Sequence, residues 1–220
     1  MPLPTLSLLE TRVLGVLVEK QHTVPDAYPL TLNALTAGCN QKTSRDPILA
    51  ATEAEVQATI DRLIGLSLVV ESSGGRVMRY AHNVQRVLTV SSESVALVAT
   101  LMLRGPQTPG ELRIHSERLH RFADTSAVEG YLHELAARPD GPLVVELARA
   151  PGAREARWAH LLSGAPAGPA RDAGVTADAD VIGASEVAAL RANIGRLQDD
   201  VAALKSVVAK LCAELGIAPP

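Results

Sequence analysis

Apolar residues recur at helical spacing in short blocks along this chain, and each block opens on a capping signal. Ser7-x-x-Glu10 is a capping box followed by Leu9, Val13, Leu14 and Leu17 on one face, which predicts a first helix. A second stripe, Leu32, Leu35 and Cys39, lies in the stretch PDAYPLTLNALTAGCNQKTSRDP (residues 25–47), and its helix is expected to start near Pro29. Thr52-x-x-Glu55 caps a third block with Val56, Ile60 and Leu63. The period then changes to two. LVVE at 68–71, a Gly74-Gly75 turn and RYAH at 79–82 predict a β-hairpin.

The series then runs a second time. Ser91 opens a helix with Val95, Val98, Leu101 and Met102. Thr108-Pro109-Gly110-Glu111 combines a Thr cap, a proline at the first helical position and a glutamate at the third. Asp124 or Ser126 caps a helix with Val128, Leu132 and Leu135, and LVVE at 143–146 leads by a longer turn to RWAH at 157–160. Three helices and a hairpin, twice, is the order of a winged helix, whose third helix is the usual major-groove reader and whose hairpin is the wing. The expected fold is mainly α with small β-hairpins (α+β): winged-helix domains at residues 1–88 and 89–163, a flexible linker at 164–184 and a C-terminal coiled-coil helix at 185–216.

The last segment carries heptads. Val187, Ile194, Val201, Val208 and Leu215 fall at a, and Leu190, Leu197, Leu204 and Leu211 at d. β-branched residues at a with Leu at d favour a parallel two-stranded coiled coil, so a homodimer is expected through this helix. Gly195 interrupts it at about 1 kcal/mol relative to Ala.

Long irregular words add a resemblance. The run Pro25-Asp26-x-Tyr28-Pro29-Leu30-x-Leu32-Asn33-x-Leu35 with Cys39-Asn40-Gln41-Lys42 is similar to the YceH-like proteins of bacteria. So are Leu103 to Arg113 (LRGPQTPGELR) and Trp158 to Gly164 (WAHLLSG). The resemblance spans residues 7–164. It implies two winged-helix domains and no particular activity.

Composition narrows the chemistry. The net charge is −3, with Lys and Arg equal to Asp and Glu over residues 1–90, so any nucleic-acid contact has to be a local patch. The two cysteines, Cys39 and Cys212, are far apart and make no disulfide framework, and no run has membrane-spanning length, which points to a cytoplasmic protein without membrane association. Five aromatic residues are too few for base stacking along a single strand. Cys39 lies on an apolar stripe, no CxxC or HExxH occurs, and the histidines have no metal-ligand spacing. No enzyme, cofactor or metal is expected.

Duplex DNA is the expected partner, with a protein partner as the alternative. The third helices are poor readers, since Glu53, Glu55 and Asp61 face one Arg62, and Asp124, Glu129 and Glu134 face one Arg138. Candidate contacts therefore lie elsewhere. They are Asn40, Gln41, Lys42 and Arg45 in the loop after the second helix, and Arg76 and Arg79 at the first wing. In the second copy they are Arg113, Arg118 and Arg121 around the second helix, and Arg149, Arg154 and Arg157 at the second wing. Arg104, His115 and His120 fall near the same helix.

Overall fold

The computed structural model describes residues 4–72, 77–149 and 154–165. The linker beyond residue 165 and the heptad helix expected at 185–216 lie outside the described residues. The chain is a mixed α+β protein with small antiparallel sheets. Its first half holds α1 (Leu8–Thr23), β1 (Leu30–Thr31), α2 (Leu32–Cys39), α3 (Glu53–Gly65), β2 (Val69–Ser72) and β3 (Arg79–His82). A short α4 (Val84–Leu88) leads to the second half: α5 (Ser92–Arg104), α6 (Pro109–His115), α7 (Thr125–Ala136), β4 (Val144–Glu146) and β5 (Trp158–His160).

The expected caps form. Ser7 with Glu10, Thr52 with Glu55 and Thr108 with Glu111 make reciprocal capping boxes, while Ser91 caps α5 and Asp124, rather than Ser126, caps α7. Each satisfies amide donors that the first helical turn leaves unpaired. α2 begins later than expected. Its cap is Thr31, because Leu30 and Thr31 first pair as β1 with Tyr80 and Arg79 of β3, giving the sheet order β1-β3-β2.

The second half keeps a remnant of that third strand. Gln107 exchanges backbone hydrogen bonds with Trp158 at 3.0 and 2.7 Å, beside the antiparallel β4–β5 pair. The repeated words RYAH and RWAH thus do the same work twice. Tyr80 and Trp158 enter the core, and the preceding arginine reaches across to the partner segment. Arg79 donates to the Pro29 carbonyl at 2.8 Å, and Arg157 to the Pro106 carbonyl at 2.8 Å. Each proline immediately precedes the residue that pairs with the hairpin.

α1 is buried from Glu10 through Val18, and α5 from Ser94 through Leu103. A helix buried on all sides cannot serve a single half. These two pack against each other as well as against their own domains, and both halves fall in one compact unit spanning Met1–Pro169. Gly15 sets the closeness of the contact, since a Cβ there would lie 2.8 Å from Leu103 Cγ. Beyond the contact, α5 ends on Gly105, whose left-handed φ of 72° suits glycine and turns the chain toward α6.

The histidines closing the two repeated words share a burial problem. His82 Nε2–H donates to the Gln21 side-chain carbonyl, while its Nδ1 is buried with no partner among the described residues; His160 Nδ1 is in the same state. Burial holds both rings neutral, with pKa values lowered to about 4, helped at His82 by repulsion from His22. An unfolded chain protonates both near 6.5 while the folded one refuses the proton. Stability from the neutral rings is therefore complete above about pH 6.5 and is lost as pH falls toward 4. Denaturant melts at pH 7.5 and 5.0 are expected to show this loss, and a His82→Gln/His160→Gln double variant is expected to flatten it.

Candidate nucleic-acid interface

The composition of Asn40 to Arg45 predicts a polar and mildly basic protrusion before α3. Its neck is instead closed by one side chain: Asn40 Nδ2 donates to the Ala51 carbonyl and Asn40 Oδ1 accepts from the Ala51 amide, both at 2.8 Å. Gln41 turns back onto Thr43, donating to its carbonyl and hydroxyl, and accepts from Lys20. These two candidates are engaged within the protein. Lys42 stays exposed.

Arg45 points inward. Its side chain has no exposed surface, its Nη2 lies 2.6 Å from Glu19 on α1, its Nη1 lies 3.1 Å from the same carboxylate, and its Nε donates to the Gly38 carbonyl. Arg45 is therefore a buried strut and not a surface cation. Burial pushes the Glu19 carboxyl upward, but the hydrogen bonds and charge of Arg45, with the charge of Lys20, outweigh it and hold Glu19 below the usual range.

Arg12, which the sequence did not single out, completes the clamp. It is fully buried on α1 and donates to the Cys39 carbonyl at 3.1 Å and to the Pro47 carbonyl at 2.6 Å. Carbonyl dipoles, rather than a carboxylate, offset the cost of burying this charge. The second half holds the loop from the other side. Asp46 donates its amide to the Leu103 carbonyl at 2.8 Å, and Arg104 Nη2 donates to Ser44 Oγ at 2.7 Å. The signal for Arg12 was present in its position beside the apolar face of α1, but a charge in a helix ordinarily reads as solvated.

The hairpin arginines divide in the same way. Arg79 and Arg157 are exposed yet committed to proline carbonyls, and Arg157 also pairs with Glu111 at 3.0 Å. Arg76 lies outside the described residues. Arg113, Arg118, Arg121, Arg149 and Arg154 are exposed and have no hydrogen-bond or carboxylate partner among the described residues. The third helices present acid. Glu53, Glu55 and Asp61 are exposed on α3, where Arg62 is taken by Glu10 at 3.1 Å. Glu129 and Glu134 are exposed on α7, and Glu129, Glu146 and Glu155 line the hollow of about 220 Å³ where α7 meets the second hairpin.

Cys39 is wholly buried, and burial pushes its thiol up to about 12 despite the nearby charges of Arg12 and Arg45. Such a sulfur is a small apolar group at neutral pH. No group of three or more potential ligands could hold a metal ion among the described residues, and none of their helices is long and apolar enough to cross a membrane.

The family model described as "Protein of unknown function, DUF480" matches residues 6–153, across both repeats and the clamped loop. This chain belongs to the DUF480 family. Among its relatives are UPF0502 proteins of Methylibium petroleiphilum, 58% identical over 98% of this chain and 92% of the relative, and of Paraburkholderia xenovorans, 58% identical over 96% and 89%. A UPF0502 protein of Dechloromonas aromatica is 55% identical over 93% of this chain and 95% of its own. The YceH-like words of the sequence lie in the stretch this DUF480 match covers, apart from WAHLLSG.

Removing one partner of the buried pair leaves the other uncompensated, which typically costs about 3–5 kcal/mol. Arg45→Met is therefore expected to lower the melting temperature strongly. Adding Glu19→Leu to it is expected to restore part of the loss, as thermal denaturation of the two variants can establish.

Proposed function

We propose that this DUF480 protein is a non-enzymatic tandem winged-helix protein of the cytoplasm that binds duplex DNA in transcriptional regulation. In this reading the heptad segment at 185–216 joins two copies. The order of three helices and a hairpin, repeated with equivalent hairpin contacts, supports the winged-helix assignment. One observation carries the DNA reading: in the second half, Arg113, Arg121, Arg149 and Arg154 are exposed cations without a partner among the described residues, whereas Arg45, Arg79 and Arg157 are committed to the fold. Phosphate contact from α6, the segment after it and the second hairpin does not require α3 or α7, although Glu146 and Glu155 bring acid to that hairpin. Lys42 adds one exposed cation from the first half.

A second reading rests on those acidic surfaces. Carboxylates at the junction of α7 and its hairpin suit a basic protein partner better than a phosphate backbone. Under it, one stoichiometric protein is recovered with the chain from nuclease-treated lysate, and duplex binding is absent.

The DNA reading is tested by anisotropy with a labelled duplex of mixed sequence across a salt series. Binding at low salt is expected to weaken steeply with added chloride. Replacing Arg113, Arg121, Arg149 and Arg154 with Gln is expected to reduce the log–log salt slope by about 3–4. No binding at low salt, or an unchanged slope in the variant, would rule this reading out.

A further inference from the structure

Beside the clamped loop, a cleft opens between α1 and the loop on one side and α5 and α6 on the other. Two adjoining hollows of about 300 and 170 Å³ share Ser44, Arg104 and His115 in their walls. The larger is at the lower edge of the roughly 300–1,000 Å³ range of small-molecule sites. Carboxylates are present but mostly occupied: Glu19 is held by Arg45 and Lys20, and Glu111 by Arg157. Asp46, without a cation in ion-pair range among the described residues, lines only the larger hollow.

The smaller hollow is the cationic one. Lys20, Arg104 and Arg118 line it, with a neutral His115 beside them, against the already paired Glu19. Arg104 is half-buried, and its side-chain partner is the neutral Ser44 hydroxyl. Burial lowers its pKa, and the charge of Arg45 adds to that while Glu19 opposes it. A guanidinium held partly out of water with no carboxylate on it is an unfavourable arrangement that a bound anion would relieve. His115 is held beside it. Gln107 is buried and donates its amide to the Thr100 and Gly105 carbonyls, so its own oxygen faces His115 Nδ1. That nitrogen must carry the proton, and burial with the charge of Arg104 lowers the ring's pKa, so Nε2 of the neutral ring is an acceptor open to a ligand hydroxyl.

We propose that the cleft between the two halves binds a small phosphomonoester, with its phosphate among Arg104, Arg118 and Lys20 in the smaller hollow. The larger hollow, lined by Asp46 and His115, takes hydroxyl groups of the remainder, which the Asp46 carboxylate and His115 Nε2 accept. A ligand there touches α1, the clamped loop, α5 and α6 together, so it ties the halves to each other. The hollow shares α6 and the segment after it with the proposed DNA surface, but none of Arg113, Arg121, Arg149 and Arg154 lines it, so the two readings can fail separately.

The test is isothermal titration of the full chain with glycerol phosphate and, separately, inorganic phosphate, against sodium chloride of equal ionic strength. Saturable binding with a millimolar or tighter Kd is expected for both phosphates. Arg104→Gln is expected to weaken it at least tenfold and Arg118→Gln several-fold, while Arg86→Gln on α4 leaves it unchanged. Should Arg104→Gln fail to fold, the exposed Arg118 decides. Heats indistinguishable from chloride, or the same Kd in the Arg118→Gln and wild-type proteins, would overturn the proposal.

Discussion

The close packing of α1 on α5 is the contact on which the rest of this protein depends. It places two helices, buried from Glu10 through Val18 and from Ser94 through Leu103, at a distance that only Gly15 permits, with Leu103 filling the notch. The same end of α5 supplies the Leu103 carbonyl and the Arg104 guanidinium that hold the loop after α2. Loosening the contact would release the loop and open the cleft at once. Because interiors are packed to crystal-like density, an extra methyl at Gly15 has to displace a branched carbon rather than a mobile side-chain end.

Around that contact the arginines take three distinct roles, and type alone does not assign them. Arg12 and Arg45 are buried struts, one solvated by carbonyls and the other by a carboxylate. Arg79 and Arg157 are straps that fasten each hairpin to the segment before the second helix of its half. Arg113, Arg121, Arg149 and Arg154 are exposed without partners among the described residues, and that contrast supports the DNA reading. Arg104 belongs with none of these, being neither exposed nor paired with a carboxylate among the described residues.

What could be read from the residues was what is local. Capping boxes, helical stripes and hairpin alternation are short-range signals, and Ser7, Thr52, Thr108 and the repeated LVVE words placed the elements correctly. The two-residue β1 and the Gln107–Trp158 bridge were invisible because pairing so short leaves no periodicity. The loop from Asn40 was misjudged for a different reason. Its composition is that of a solvated turn, and only distant partners on α1 and α5 turn Arg45 into a core residue. The word R-[YW]-A-H announced that something recurs, but not that its arginine straps a proline carbonyl and its histidine stays neutral.

If the α1–α5 contact joins the halves as described, they unfold together. Trp158 is the single tryptophan and reports on the second half, while hydrogen exchange in α2 and α3 reports on the first. Equilibrium urea unfolding followed by both probes should give coincident midpoints. Loss of protection in α2 and α3 at a clearly different urea concentration from the Trp158 transition would contradict a shared core.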